Sequence, residues 1–150
     1  MKTLKKLSIL GLVVLILNII WEFSHSFLYI MPKSIDMSEI SQYPHLIAAS
    51  FGDMLIILCI FTIVSLKNRN FTWIKSPSKF DYLLIVFLCL AIAVFIEVIN
   101  LNLGRWAYTA AMPTIFGIGI SPLIQLASTG VVSLIILSYI ENNKYTAPHP

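Results

Sequence analysis

The sequence predicts an all-α integral membrane protein, built as an antiparallel bundle of four transmembrane helices. Of its 150 residues, 58% are hydrophobic and only 11% are charged, a balance too apolar for a soluble domain. Four apolar runs, at about 7–30, 45–66, 81–103 and 114–140, each reach the roughly 20 helical residues that cross a hydrocarbon core. The runs are continuously apolar and do not alternate, which argues against a membrane β-barrel. We therefore expect residues 1–150 to form one membrane domain.

The distribution of basic residues predicts the orientation of the spans. Eight of the ten lysines and arginines fall on the side that both termini share with the connection after the second span. These eight are Lys2, Lys5, Lys6, Lys67, Arg69, Lys75, Lys79 and Lys144. Lys33 and Arg105 fall on the other side. By the positive-inside rule both termini are cytoplasmic (N-in/C-in), so we expect a multi-pass protein of the cytoplasmic membrane. The net charge of +3 follows these connections, and therefore indicates contact with the lipid bilayer and no nucleic acid partner.

The first span becomes polar only towards its end. Its start, MKTLKKLSILGLVVLILNII, is similar to a signal peptide, but no A-x-A cleavage site follows, so we expect it to be retained. Asn18, Glu22, His25 and Tyr29 follow at spacings of four, three and four, which places them on one face of a helix. Trp21 lies beside that face.

The second span carries polar residues at its beginning. We expect it to start at Pro44, since proline is common in the first turn of a helix. His45 and Asp53 are eight residues apart and so share a face. The connection at 67–80 combines basic residues with aromatic ones such as Trp73, which predicts a segment lying at the level of the lipid headgroups.

The third span repeats the pattern of the first. It begins near Asp81, a residue type that caps helix starts. Glu97 and Asn100 stand three residues apart on one face near its end, and Gly104 then terminates the helix. Arg105 follows, placed to reach back towards the helix ends.

The fourth span has an irregular beginning. Trp106 and Tyr108 lie in the short connection before it, and the span opens after Pro113. Two glycines and a proline at 117–122 predict irregular backbone or a kinked first turn, which a membrane tolerates only where protein or water satisfies the backbone groups. Gln125 comes directly afterwards.

These polar residues are predicted to share one depth in the membrane. With alternating helix directions they all fall in the outer half, with Glu22 and Asp53 about 12 Å and Glu97 about 10 Å below the outer helix ends. An ionised residue near mid-membrane costs roughly 2.5–3.5 kcal/mol, so the three carboxylates should face inward and pair. Because carboxylates repel each other at low dielectric, at least one should carry a proton near neutral pH. We expect no ionisable group inside a span in the inner half.

The polar residues at this depth predict a site for an amphiphilic ligand, lipid or isoprenoid-like, that enters from the outer leaflet. In a membrane enzyme or binding protein, Glu22, His25, Asp53 and Glu97 would be the general acid and base groups. The ligand-binding residues would be Asn18, Trp21, Asn100, Arg105, Trp106, Tyr108 and Gln125. Arg105 would hold an anionic head group such as a phosphate.

A divalent metal cofactor is one alternative. Glu22 and His25 form an E-x-x-H pair, the spacing used by metal sites in helix bundles. With His45, Asp53 and also Glu97 they supply nitrogen and oxygen ligands suited to Zn, Mn or Fe. A di-iron bundle needs the motif twice, and it occurs once here.

Two further alternatives stay open. In the first, the chain is a component of metal-ion or proton-coupled transport. In the second, it is a structural membrane subunit without catalysis. Four helices are few for a substrate path, so a transport role implies a homo-oligomer.

Segments in both halves of the chain resemble a set of small bacterial and archaeal four-span membrane proteins. They are W-E-F-S-H-S-F-L-Y in the first span, and E-V-I-N-L-N-L-G-R-W-A-Y-T-A-A-M-P-T-I followed by G-I-G-I-S-P-L-I-Q in the second half. The resemblance covers nearly the whole chain and implies the same four-span fold, but no activity. Buried carboxylates and aromatic residues on short spans are also similar to sterol-isomerase-like and carotenoid-cyclase-like membrane enzymes. Neither family's full motif is present, so that similarity implies a lipid or isoprenoid substrate and no particular catalytic residue.

Overall fold

A computed structural model of the protein describes residues 3–30 and 39–143. Its four long helices are α1 (Thr3–His25), α2 (Glu39–Lys67), α3 (Lys79–Asn102) and α4 (Ile120–Asn143). Each belongs to a segment that is long and apolar enough to cross a membrane, which confirms the predicted helical, multi-pass membrane protein. The positions Lys2, Lys33 and Lys144, used above to predict orientation, lie outside the described residues.

The helix ends gather into two groups, which we call the termini end and the hairpin end. At the termini end, Lys6 in α1 pairs with Glu141 in α4 at 3.1 Å, and Lys67 in α2 pairs with Asp81 in α3 at 2.8 Å. The hairpin end carries four short strands: β1 (Tyr29–Ile30), β2 (Ala107–Tyr108), β3 (Thr114–Ile115) and β4 (Ile118–Gly119). Helix α1 packs against α2 and α4, and α3 packs against α4.

Helix α1 ends at His25, and not near residue 30 as predicted. A 3-10 turn at Ser26–Leu28 follows, and β1 then pairs antiparallel with β2, so that Tyr29 lies opposite Tyr108. The prediction that Tyr29 continues the polar face of α1 is therefore wrong. Pairing with a distant strand satisfies the backbone groups that a helix end leaves open, an effect that local periodicity does not report.

The starts of the other three helices also differ from prediction. Helix α2 begins at Glu39, with Pro44 inside it, because a polar turn precedes the apolar segment that starts at Tyr43. The cap of α3 is Ser78, and Asp81 is its partner in a capping box.

Helix α4 begins at Ile120, and not directly after Pro113. The predicted irregular opening is a hairpin, because β3 pairs with β4 around a turn in which Phe116 (φ 52°) and Gly117 (φ 80°) both have positive φ angles. This is the backbone that two-residue hairpin turns require.

A cluster of buried apolar residues fills the space towards the termini end. Its members are Leu10, Val14, Ile57, Ile60, Phe61, Val64, Trp73, Ile74, Ile85, Cys89, Leu126, Leu134 and Leu137. Trp73 packs against Phe61 and donates a hydrogen bond to Ser65 Oγ at 2.8 Å. Trp73 is thus buried inside the protein, while the headgroup level of its segment stays a prediction.

The termini end also contains a buried ion pair. Helix α4 continues past residue 140, so that Glu141 lies inside it, 1% exposed, against Lys6, 4% exposed. Lys6 Nζ also donates to the Phe71 carbonyl at 3.2 Å. Both residues lie just outside the predicted spans at 7–30 and 114–140, in helices that extend further than predicted.

Candidate functional site

A cavity of about 580 Å³ opens near the hairpin end and is lined by all four helices. Its polar and aromatic lining is Glu22, Ser26, Tyr29, His45, Asp53, Glu97, Arg105, Trp106 and Gln125. Its apolar lining is Leu46, Ala49, Gly52, Ile56, Ala93, Ile96, Pro122 and Leu126. Helices α2 and α3 pack less extensively against each other than α1 does against α2, and residues of both line the cavity. Its volume is in the range of pockets that bind drug-sized molecules.

Gln125 joins the polar residues of three helices. Its Nε2 atom lies 2.7 Å from Glu22 Oε1, 2.8 Å from Asp53 Oδ2 and 3.2 Å from Asn18 Oδ1, three acceptors for the two hydrogens of the amide. Gln125 is 4% exposed and Asn18 is fully buried. The structure thus brings together the predicted residues of α1, α2 and α4, with Asn18 behind the cavity wall and the two carboxylates on it.

The His25 ring connects Glu22 to the start of α4. Its Nδ1 atom accepts from Trp21 Nε1 at 3.0 Å and lies 2.7 Å from Ser121 Oγ, while its Nε2 atom lies 3.5 Å from Glu22 Oε2. Because the indole N–H of Trp21 can only donate, Nδ1 is an acceptor, and we assign the ring proton to Nε2. That proton faces the Glu22 carboxylate, at a distance longer than a normal hydrogen bond.

Glu97 forms a separate hydrogen-bonded group on the cavity wall. Its Oε2 atom accepts from Trp106 Nε1 at 3.3 Å and from the Tyr108 hydroxyl. The Tyr108 oxygen in turn accepts from the backbone N–H of Gly119 at 2.9 Å. Glu97 is therefore held by donors from the connection between α3 and α4, and not by the Gln125 group.

Aromatic rings lie between these two groups. Tyr29 contacts His25, Trp106 and Tyr108 edge to face, with ring centroids 5.4, 6.1 and 5.7 Å apart. Burial, together with the charge of Glu97, raises the pKa of Tyr29 above its ordinary value. Burial and the hydrogen bond to Glu97 likewise raise the pKa of Tyr108. Both phenols therefore stay protonated and act as donors near neutral pH.

Two predicted residues lie at the exposed rim of the cavity. Arg105 reaches back as predicted, donating from Nη1 to Asn100 Oδ1 at 3.0 Å, and Asn100 itself donates to the Ile96 carbonyl. His45 is exposed and lies on the α2 side of the rim. Arg105 therefore stands nearer to solvent than the carboxylates do.

Sequence reasoning missed two parts of the site. Ser121 stands four residues before Gln125, on the same helical face, so the spacing signal was present. The second part is the backbone N–H of Gly119, which positions Tyr108. The pattern of side chains in a sequence does not show which backbone N–H group will donate to a side chain.

The donor set does not favour a metal centre. Among the residues that the structure describes, no group of three or more His, Cys, Asp or Glu side chains is placed to hold a metal ion. Glu22 and His25 are adjacent, but His45 lies at the rim, and Asp53 is oriented by the Gln125 amide. Glu97 is held by Trp106 and Tyr108. The geometry gives the metal alternative no support.

Comparison with known proteins gives no family assignment. No protein-family model matches the chain, and neither the curated proteins nor the solved structures contain a match.

Proposed function

We propose that the four helices form an antiparallel bundle in the cytoplasmic membrane, with both termini in the cytoplasm. In the described part of the chain, six basic residues lie at the termini end and Arg105 alone lies at the hairpin end. The positive-inside rule then places the cavity in the outer half of the bilayer.

Cysteine labelling in intact cells tests this orientation. In a background in which Cys59 and Cys89 are replaced by serine, a membrane-impermeant thiol reagent should label Ile115→Cys at the hairpin end. It should not label Asn70→Cys at the termini end. The reverse labelling pattern would contradict the orientation.

We infer further that the cavity binds an amphiphile, as a small membrane enzyme or binding protein would. The observation that carries this inference is the asymmetry of the cavity wall. Glu22, Asp53 and Gln125 converge at one place, and the lining that α2 and α3 add beside them is apolar, namely Ala49, Gly52, Ile56, Ala93 and Ile96. A polar head group at the carboxylates and an apolar chain along α2 and α3 would match that division. Because α2 and α3 pack less extensively against each other, such a ligand would enter between them directly from lipid.

Chemistry on the ligand would use the acid–base groups of the site. Glu22 and His25 face each other, and Asp53 and Glu97 lie on the same cavity. A substrate group placed at Glu22 could exchange a proton with His25, and Arg105 would contact polar groups at the rim. Glu22→Gln should then leave the helical fold intact and abolish turnover, whereas a purely structural role would leave the cellular phenotype intact.

A transport role requires more than one copy of the chain. The apolar cluster fills the level between the cavity and the termini end. A polar path would therefore have to run between copies, so the oligomer number decides whether this second candidate is viable.

Two neighbouring alanines provide a matched test of binding. Both are exposed on α2, but Ala49 lines the cavity and Ala48 does not. Native mass spectrometry of protein released from mild detergent should show a lipid-sized adduct on the wild type and on Ala48→Phe. The adduct should be lost from Ala49→Phe, whose ring fills the cavity. A bare wild-type chain, or an adduct that persists on Ala49→Phe, would contradict the proposal, and the same spectra report the oligomer number.

A further inference from the structure

Glu22 and Asp53, the two carboxylates next to Gln125, can accept more hydrogen bonds than the protein donates to them. A primary amide carries two N–H hydrogens. Gln125 Nε2 nevertheless lies within 2.7–3.2 Å of three acceptor oxygens, on Glu22, Asp53 and Asn18. If both hydrogens go to the carboxylates, the Thr129 hydroxyl remains for Asn18 Oδ1, at 3.4 Å. Each carboxylate then receives one hydrogen bond from the amide, and among the described residues Glu22 Oε2 and Asp53 Oδ1 receive none. The ring proton of His25 does not make up the difference, because Nε2 is 3.5 Å from Glu22 Oε2, longer than a normal hydrogen bond.

The same carboxylates lack a positive partner. Within the described residues, no lysine or arginine lies within 4.0 Å of Glu22, Asp53 or Glu97. Arg105 is engaged with Asn100 at the rim. Carboxylates at membrane depth are expected to pair with opposite charge. The protein thus leaves both a hydrogen-bond donor and a positive charge to be supplied from the cavity side.

A primary ammonium group supplies both at once. It carries one positive charge and three N–H hydrogens that can be directed at separate oxygens. Glu22 and Asp53 present their oxygens at the cavity wall, and the neighbouring lining from Ala49 to Ile56 and from Ala93 to Ile96 is largely apolar. An ammonium head at the carboxylates would therefore lie next to surface that suits a hydrocarbon chain.

We propose that the cavity selects amphiphiles whose head group is an N–H-bearing ammonium, held by Glu22 and Asp53 beside Gln125. This inference rests on the proposed amphiphile site and specifies its ligand class. It assigns the recognition of the head group to these carboxylates, with Arg105 left at the rim.

A series of amphiphiles that share one chain tests the proposal. Protein in lipid nanodiscs is incubated with dodecylamine, dodecyltrimethylammonium, dodecanol or dodecyl phosphate, and the 1:1 adduct is measured by native mass spectrometry. Dodecylamine should bind at least tenfold more tightly than each of the others. Dodecyltrimethylammonium has the same charge without N–H groups, so equal binding would overturn the role of donated hydrogens. Preference for dodecanol would show that the carboxyls are simply protonated, and preference for the phosphate would assign recognition to Arg105. Either result overturns the proposal.

Failure of the amphiphile site itself gives a different result. If no member of the series forms an adduct, the proposed function fails together with this inference. Propylamine carries the same ammonium without the long chain, and should bind at least tenfold more weakly than dodecylamine. Equal binding of propylamine would overturn the amphiphile part and assign the site to a water-soluble amine.

A variant localises the head group. Asp53→Asn keeps the shape of the side chain, adds two hydrogens and removes the charge. It should weaken dodecylamine binding at least tenfold and leave dodecanol binding within twofold of the wild type. Unchanged dodecylamine binding would overturn the assignment to Asp53. The ligand series on the wild-type protein remains decisive if this variant fails to fold.

Discussion

Replacing Gln125 with leucine removes the contact that joins α1, α2 and α4. The side chain is 4% exposed, and its amide nitrogen lies 2.7 Å from Glu22 Oε1 and 2.8 Å from Asp53 Oδ2. Leucine is similar in size to glutamine and carries no donor. The substitution therefore withdraws hydrogens from buried carboxylates and leaves the packing volume nearly unchanged.

The size of the effect follows from the number and kind of bonds lost. An amide can serve two acceptors at a time, and a hydrogen bond to a charged group contributes about 1.5–3 kcal/mol. Neutral bonds between membrane helices average only about 0.6 kcal/mol. Because these bonds lie between membrane helices, where hydrogen bonds contribute little, the loss should fall at the lower end of the charged range. We expect Gln125→Leu to lower the free energy of unfolding by about 3 kcal/mol.

Unfolding in mixed micelles with increasing SDS, followed by circular dichroism, measures this loss. The control is Ser128→Ala, one turn along α4, whose hydroxyl bonds only within its own helix, to the Gln125 carbonyl. It should change the stability by less than about 0.5 kcal/mol. Adding Asp53→Asn to Gln125→Leu should recover part of the loss, because asparagine returns two hydrogens to Glu22. A loss below about 1 kcal/mol for Gln125→Leu, or no recovery, would refute the donor account.

Three further substitutions can be measured in the same titration. A Cβ atom at Gly119 would lie 3.0 Å from Met112 Sδ and 3.1 Å from Tyr108 Cζ, so Gly119→Ala should cost about 1–3 kcal/mol, and a neutral result would contradict this crowding. At Gly52, a Cβ would meet nothing within 4 Å, and Gly52→Ala should gain about 0.5–1 kcal/mol from helix propensity; a loss would mean that the cavity wall is occupied there. Lys6→Met leaves the Glu141 charge buried and should cost about 3–5 kcal/mol, most of which a further Glu141→Leu change should restore.

The presence of the four helices could be predicted from the sequence because it depends only on the length of each apolar run. Twenty or so apolar residues in succession are stable across a membrane only as a helix. The polar faces of these helices could also be predicted, because residues three or four apart lie on the same side of a helix. Asn18 and Glu22 were found in this way, and the structure brings both to the amide of Gln125.

The ends of the helices could not be predicted in the same way. Tyr29 leaves α1 because its backbone pairs with Tyr108, which lies far away in the sequence. Lys6 and Glu141 likewise stand near opposite ends of the chain, and they pair in parts of α1 and α4 that lie outside the predicted spans. Such choices depend on which segments meet after folding, and no local pattern reports them.

The division into a Gln125 group and a Glu97 group has the same origin. Depth alone placed all the carboxylates at one level. Which donor serves which carboxylate depends on the connection between α3 and α4, which brings Trp106 and Tyr108 to Glu97. The burial of the carboxylates could therefore be predicted from the sequence. Their hydrogen-bond partners could be identified only from the structure.

The position of Gln125 in the chain has a consequence for biogenesis. Its partner Asp53 precedes it by 72 residues, and Glu22 precedes it by 103. At about 5–20 residues per second, the ribosome reaches Gln125 roughly 4–14 s after Asp53. During that interval the first helices must reside in the insertion machinery or the bilayer without the donor that their carboxylates later share. Insertion of the last helix and completion of the polar site are therefore a single event, and a chain truncated before α4 should be a preferred substrate for membrane quality-control proteases.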